Sequence, residues 1–94
     1  GVLVVKNKKG LTSGITVDGD IKRAIQKNKD FQGLSIKDVM TKNPISVRSD
    51  TLAVKALSIM NSKKITSLCV HNNKNKKKTI GILHIHTILE ANIQ

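Results

Sequence analysis

The stretch from Ser35 to Val70, SIKDVMTKNPISVRSDTLAVKALSIMNSKKITSLCV, carries the clearest succession of structural signals in the chain. Asn43-Pro44 breaks the preceding segment, because the residue before a proline is pushed out of the helical region of backbone conformation. Ile45-Ser46-Val47 then alternates apolar and polar residues, as a short strand does. The stretch therefore predicts a strand, a helix and a second strand in succession.

The helix of this stretch is predicted to begin near Thr51, where Ser49 or Asp50 would accept hydrogen bonds from its free N–H groups. Apolar residues recur at helical spacing along it and predict a buried stripe made of Leu52, Ala56, Ile59 and Met60. The strand that follows, Leu68-Cys69-Val70, is apolar without interruption, which predicts burial on both of its faces.

Two strands and a helix are predicted before this stretch. Val2 to Lys6 and Leu11 to Val17 flank the turn residues Asn7 to Gly10, which predicts an antiparallel hairpin. Asp18-Gly19-Asp20 suits the start of a helix, because acidic side chains there accept from free N–H groups and favour the helix dipole. The expected inner face of that helix consists of Ile21, Ala24 and Ile25.

Short elements complete the prediction. Ser35 is expected to cap a helical turn that carries Ile36, Val39 and Met40. A strand is expected from Thr79 to Leu83, and a last helix from about Ile85 to Asn92. The buried residues of that last helix are expected to be Ile85, Ile88, Leu89 and Ile93.

Length and composition limit the class of protein. Ninety-four residues with one cysteine and no apolar run of about 20 residues predict a small domain without an internal disulfide or a membrane span. No signal peptide is visible before the first strand, so a reducing cytoplasm is the expected compartment. The apolar strand from Gly1 to Val5 enters without a cap or linker, and we therefore expect a fragment of a longer protein.

The net charge of +11 does not by itself predict a specific nucleic-acid partner. The lysines are scattered over most polar segments, and the densest run lies in the expected loop from Asn72 to Lys78. Phe31 is the only aromatic residue, and Arg23 and Arg48 are the only arginines. The chain therefore has few side chains that could stack on bases or bind a base with two hydrogen bonds, and a solvated basic surface is the simpler interpretation.

An internal repeat organises the chain. Leu3-Val4-Val5, a loop, a glycine-led strand from Gly14 and a helix recur as Leu68-Cys69-Val70, a longer loop, a glycine-led strand from Gly81 and a helix. Each unit should be a β-α-β-β-α module in an α+β fold. The second unit would occupy residues 41–94 in full, whereas residues 1–40 would contain the C-terminal part of the first unit and a connecting helix.

These residues resemble CBS domains, which occur in tandem as a Bateman module. The segments ITVDGDIKRAI, LSIKDVMTKNPISVRSDTLAVKALSIMNSKKITSL and GILHIHTIL are similar to the C-terminal CBS pair of the arabinose-5-phosphate isomerase family. The resemblance implies an upstream SIS catalytic domain in the same chain, self-association through the CBS pair and a place in Kdo and lipopolysaccharide biosynthesis. It implies no catalytic residue in this segment. The composition, independently of the resemblance, predicts neither a membrane partner nor a specific nucleic-acid partner.

The resemblance also implies a ligand, an adenosine nucleotide or a CMP-sugar, in the cleft between the repeats. In the family a threonine three residues after the glycine contacts phosphate, and an aspartate six residues after it binds ribose. The first repeat retains Asp20 but has Val17 at the threonine position, with Thr16 on the opposite strand face. The second repeat has His84 and Thr87 at these two positions. The candidate ligand-binding residues are Asp20, Thr16, Thr66, Ser67 and His84.

Simpler roles stand beside these. Asp18 and Asp20 suit plain helix caps, and Cys69 suits a small buried apolar residue. His84 and His86 share a strand face, as two metal ligands would, but no third ligand lies near in sequence, so no metal site is predicted. Catalytic triads, phosphate loops and paired catalytic carboxylates are not visible either. The alternatives to the regulatory role are a nucleotide-sensing CBS pair that is free-standing or fused to another domain, and a purely structural dimerisation module with empty clefts.

Overall fold

The structure, a computed structural model, describes residues 1–28 and 30–92, apart from the side chains of residues 88, 91 and 92. It divides into two compact units, Gly1–Pro44 and Ile45–Gln94. The first contains β1 (Val2–Lys6), β2 (Thr12–Val17), α1 (Asp18–Lys27), a 3₁₀ turn (Phe31–Gly33), α2 (Ile36–Val39) and β3 (Thr41–Lys42). The second contains β4 (Ser46–Arg48), α3 (Ala53–Lys63), β5 (Ser67–His71), β6 (Thr79–His84) and α4 (Ile85–Asn92).

Each unit is built on a three-stranded sheet. The first sheet has the order β1-β2-β3 with antiparallel pairs, and the second has the order β4-β5-β6 with a parallel and then an antiparallel pair. Gly10 adopts a positive φ of 79° in the turn between β1 and β2, as the turn chemistry predicted. The predicted α+β class and the hairpin are confirmed, and the predicted strands and helices occur in the expected order. The short strand β3 was not predicted.

The two hairpins confirm the internal repeat at the level of strand register. Leu3 pairs with Thr16 and Val5 with Gly14 in the first hairpin, as Leu68 pairs with Leu83 and Val70 with Gly81 in the second. Both hairpins also shift register at the same place, directly after Val5 and directly after Val70. The extra residues of the second unit therefore lie in its loop, outside the paired strands.

The repeated glycines have different surroundings. A β-carbon on Gly14 would lie 2.6 Å from the Thr41 carbonyl oxygen and 2.8 Å from the Met40 sulfur, because β3 and the end of α2 approach β2 closely there. A β-carbon on Gly81 would have no heavy atom outside its chain neighbours within 4 Å. The first position therefore requires glycine, and the second does not.

This difference gives a matched pair of variants. Gly14→Ala should destabilise the chain by about 1–3 kcal/mol, because the methyl group overlaps backbone that cannot move freely. Gly81→Ala should change stability by less than about 1 kcal/mol, toward greater stability, since glycine inside a strand is conformationally costly. Urea unfolding of both variants measures the difference. Equal midpoints would contradict the close approach of β3 to β2.

The core of the second unit lies between α3 and the sheet. Its buried members are Val47, Ala56, Met60 and Leu68, and Ile59, Leu83 and Ile85 pack against them. The strand prediction for residues 68–70 is confirmed, with Leu68 and Cys69 fully buried and Val70 partly buried.

Two expectations for α3 are wrong. Leu52 is 72% exposed, because it occupies the extended position before the first turn and its carbonyl accepts from the N–H groups of Lys55 and Ala56. The predicted caps Ser49 and Asp50 lie farther upstream, and the Asp50 carboxylate instead accepts from Arg48 at 3.0 Å. The helix therefore begins two residues later than the polar side chains suggested.

The expected inner faces of α1 and α4 also differ from the structure. Ile21 and Ile25 are 37% and 54% exposed, so α1 does not bury the face that the apolar spacing predicted. Leu89 is also exposed, whereas Ile85 packs on the core as predicted. The predictions for the side chain of Ile88 and for Ile93 fall outside the described residues.

Ser35 is the N-cap residue of α2, as predicted, but its side chain donates a hydrogen bond to Asp38. The Asp38 carboxylate accepts from the Ser35 backbone N–H at 2.9 Å and from its hydroxyl at 3.0 Å. These two hydrogen bonds to the charged form lower the pKa of Asp38. The acidic side chain, three residues into the segment, is the acceptor.

Candidate functional site

The Asp20 carboxylate accepts three hydrogen bonds within the first unit. Its Oδ2 accepts from the Val17 N–H at 2.8 Å, and its Oδ1 accepts from the Arg23 guanidinium at 2.7 Å and the Thr41 hydroxyl at 3.2 Å. The residue is only 8% exposed. One buried carboxylate thus connects the start of α1, the next turn of that helix and strand β3.

These internal bonds limit what Asp20 can do for a ligand. A carboxylate offers about four lone-pair positions, and three internal donors already use the two oxygens. Accepting both hydroxyls of a ribose would therefore require at least one internal donor to leave. As an acceptor for the N-cap N–H, Asp20 performs the capping role in any case.

Thr16 does not join the Asp20 cluster. It pairs with Leu3 across the hairpin, one position before Val17, so the two side chains lie on opposite faces of the sheet, as expected. Thr16 is 3% exposed, and its hydroxyl has no hydrogen-bond partner among the described residues.

The three candidates of the second unit meet where β6 passes into α4. The left-handed conformation of Lys64 (φ 56°) ends α3 and directs the following residues into β5. The Thr66 carbonyl then accepts from the Ile85 N–H at 2.8 Å, while Ser67 pairs directly with His84 across β5 and β6. The start of β5 therefore lies beside the start of α4.

His84 acts as the cap of α4. Its Nδ1 atom accepts from the His86 N–H at 3.2 Å, and the two imidazole rings stack with centroids 4.8 Å apart. Ser67 is 5% exposed, and its hydroxyl has no hydrogen-bond partner among the described residues. Thr66 and Thr87 are exposed beside this pair.

Sequence reasoning missed two partners of Asp20. Arg23 lies three residues farther along α1, a spacing at which opposite charges on a helix meet, so this pair was predictable. Thr41 reaches Asp20 from a strand 21 residues away, and no local signal indicates that contact.

Cys69 is buried beside Thr79 on β6. Burial raises the pKa of the Cys69 thiol, and a hydrogen bond with the Thr79 side chain offsets part of that rise. The thiol therefore remains protonated and unreactive at neutral pH.

We expect a thiol reagent such as DTNB to leave folded Cys69 unmodified at about pH 8 over minutes and to react fully once urea unfolds the chain. The unfolded chain is its own control, because the sequence has a single cysteine. Reaction of the folded chain at the rate of a free thiol would contradict the burial.

Within residues 1–28 and 30–92, no three His, Cys, Asp or Glu side chains are grouped closely enough to hold a metal ion. The longest helix described there has 11 residues, and none is long and apolar enough to cross a membrane.

With the repeat and its junctions established, comparison with known proteins assigns the class. The sequence pattern of the CBS domain matches residues 36–93, and the chain belongs to the CBS domain family. Solved CBS domain proteins share the fold: one of them, NE2398, aligns over 100% of this chain and 71% of its own, with a TM-score of 0.85 at 21% identity.

Two of the solved CBS proteins that this chain resembles were determined in complex with ligands. The CBS domain pair of protein MJ0100, in complex with 5′-methylthioadenosine and S-adenosyl-L-methionine, aligns over 99% of this chain and 72% of its own, with a TM-score of 0.82 at 22% identity. CBSX2 in complex with AMP aligns over 99% of this chain and 71% of its own, with a TM-score of 0.79 at 26% identity.

Among characterised sequences, the chain is similar to arabinose 5-phosphate isomerase KdsD. It is 39% identical to the Escherichia coli K12 protein over 93 residues and 36% identical to the Pseudomonas aeruginosa protein. The match covers 99% of this chain but only 27% and 28% of those two enzymes.

Proposed function

We propose that this chain is the non-catalytic regulatory module of an arabinose 5-phosphate isomerase, an aldose–ketose sugar-phosphate isomerase of Kdo and lipopolysaccharide biosynthesis. The observation that carries the proposal is the 39% identity with KdsD over 99% of the chain, which nevertheless covers only 27% of that enzyme. A catalytic SIS domain in the remaining length of such an enzyme would perform the isomerisation in the cytoplasm.

Regulation would operate by differential binding. A ligand that binds one arrangement of the two repeats more tightly shifts the population toward it, and with it the catalytic domains attached to the module. Two of the similar solved CBS proteins hold adenosine-containing ligands, which supports an adenosine nucleotide as the ligand. A CMP-sugar is the other candidate ligand. Self-association of CBS pairs would transmit the change between subunits.

A second candidate function is structural dimerisation with empty ligand clefts. The occupied carboxylate favours it, since three internal donors already use the oxygens of Asp20. Val17 and Thr87 also replace the hydroxyl and the carboxylate that the resemblance to CBS domains would place at these positions.

The purified 94-residue chain should not convert arabinose 5-phosphate to ribulose 5-phosphate. A coupled assay for ribulose 5-phosphate measures this, with a full-length KdsD enzyme as the positive control. Turnover above the level without protein would show that the chain carries catalytic groups and would refute the non-catalytic role.

Calorimetric titration with AMP, ATP and a CMP-sugar distinguishes the regulatory candidate from the structural one. We expect salt-sensitive binding of at least one of them, because the surrounding lysines attract phosphate through screened charges. If Asp20 supplies the ribose contact, the 2′-deoxy analogue should bind about tenfold more weakly, since one hydrogen bond to a carboxylate is lost. Absence of heat with every nucleotide would favour the structural role.

A further inference from the structure

The junction of β6 and α4 contains groups whose hydrogen bonding depends on protonation. His84 Nδ1 accepts the His86 N–H at 3.2 Å, so this nitrogen carries no proton and His84 caps α4 through its lone pair. A protonated imidazole has two donors and no acceptor, so a proton on His84 would remove the cap.

Ser67 provides a second, independent sign of a ligand at this place. Ser67 is only 5% exposed, and its hydroxyl has no hydrogen-bond partner among the described residues. It pairs directly with His84 across the two strands. Directly paired residues of antiparallel strands project from the same face, so the Ser67 hydroxyl lies on the face of the His84 ring. Buried hydroxyls are normally hydrogen-bonded, which indicates a partner absent from the chain itself.

We propose that this junction binds an oxyanion together with a proton. When His84 gains a proton it becomes a donor, and the anion replaces its lone pair as the acceptor for the His86 N–H. The anion also accepts from the Ser67 hydroxyl and from the protonated His84, and the positive end of the α4 dipole stabilises it. Anion and proton therefore favour each other's binding, as any two coupled ligands must.

The coupling between anion binding and proton binding depends on which titratable groups lie near the junction. On the same face of β5 lie the Cys69 thiol and His71, whose Nδ1 bonds to the Asn72 carbonyl at 2.8 Å. Helix α3, which contacts α4, carries Lys55 and Lys63, and α4 itself carries Glu90. Among these residue types only histidine can both accept and donate a hydrogen bond through a ring nitrogen, so the coupling to the cap of α4 rests on His84.

The inference deepens the proposed function, on which it rests: it makes the second repeat a proton-dependent site for the phosphate-type group of a ligand. Sulfate is the direct probe, because it keeps one charge state over this pH range. Inorganic phosphate and AMP are the further probes, and they separate binding of a free oxyanion from binding of a nucleotide phosphate.

The three histidines of the chain allow the site to be observed directly. In a ¹H–¹³C spectrum of the 94-residue chain at constant ionic strength, sulfate should shift the ring signals of His84 and His86 and leave that of His71 in place. The affinity should be at least about tenfold higher at pH 5.5 than at pH 7.5. Assignment follows from His86→Gln, an exposed position whose substitution leaves the His84 cap acceptor intact.

Ser67→Ala tests the orphan hydroxyl and should weaken sulfate binding at pH 5.5 by about tenfold. A matched control, Lys77→Gln in the exposed loop, should leave the affinity for sulfate within about twofold, because general attraction to a basic chain is not the cause. Equal shifts of all three histidines, an affinity independent of pH, or unchanged binding in Ser67→Ala would each overturn the proposal. Nucleotide binding that persists in any of these cases would leave the proposed function intact and remove only the proton coupling.

Discussion

Met60→Ala should lower the free energy of unfolding by about 2–5 kcal/mol, the largest effect of any truncation on α3. Met60 is fully buried at the centre of the second unit, between Val47, Ala56 and Leu68. Truncation loses the free energy gained by burying the side chain. It also leaves a cavity that the neighbours in β4 and β5 cannot fill. Urea unfolding followed by circular dichroism measures the change.

Leu52→Ala is the matched control, because the spacing of apolar residues places both side chains on one stripe whereas the structure buries only one. Leu52 is 72% exposed, so its truncation should change stability by less than about 0.5 kcal/mol. Ile59, partly buried against the same core, should fall between the two. Similar losses for Leu52→Ala and Met60→Ala would mean that α3 begins earlier and is rotated relative to the structure.

Asp20→Ala should destabilise the chain by about 2–4 kcal/mol even without any ligand. The substitution leaves the Val17 N–H and the Thr41 hydroxyl without their acceptor and removes the ion pair with Arg23. Hydrogen bonds to a charged group contribute about 1.5–3 kcal/mol each, and the loss of several is partly offset by water entering the site. Thermal and urea unfolding of the ligand-free chain measure it.

Asp18→Ala is the comparison for Asp20, since the same residue type lies two positions earlier in the same helical turn. The Asp18 side chain is 86% exposed, so its removal should cost less than about 1 kcal/mol. If Asp20→Ala lowered the free energy of unfolding as little as Asp18→Ala, the internal hydrogen bonds of Asp20 would contribute little to stability. Its carboxylate could then accept from a ribose at little cost. Asp20→Asn keeps one acceptor oxygen, so its loss of unfolding free energy should lie between those of Asp20→Ala and Asp18→Ala.

The sequence predicted those features that depend on local patterns. Alternation and turn residues identified the β1–β2 hairpin, and the repeated glycine-led strands predicted two units whose registers coincide. The resemblance to CBS domains rested on the same segments. These patterns depend on residues that are close in sequence, so they can be recognised without knowledge of the tertiary structure.

The errors arose where a partner lies far away in sequence. Leu52 fits the apolar stripe of α3, but burial depends on where the helix begins and on what covers its first turn. Ile21 and Ile25 have the pattern of an inner face, yet both are exposed, because spacing along a helix does not show which neighbouring element packs on it.

The candidate site was predictable in part for the same reason. Residue type identified Asp20, Ser67 and His84, but the Thr41 contact and the direct pairing of Ser67 with His84 depend on strand register. Whether these residues contact a ligand stays a prediction.

The most direct test of the proposed function is the isomerase activity of an arabinose 5-phosphate isomerase that contains this 94-residue segment and of a variant that lacks it, each measured with and without AMP, ATP and a CMP-sugar. A regulatory module predicts that the shortened enzyme still converts arabinose 5-phosphate and that the effect of the nucleotide is lost. Full-length turnover should change at least about threefold with the nucleotide that binds the isolated module. A folded shortened enzyme without turnover, or a nucleotide effect that survives the deletion, would contradict the assignment of this chain as the non-catalytic regulatory part.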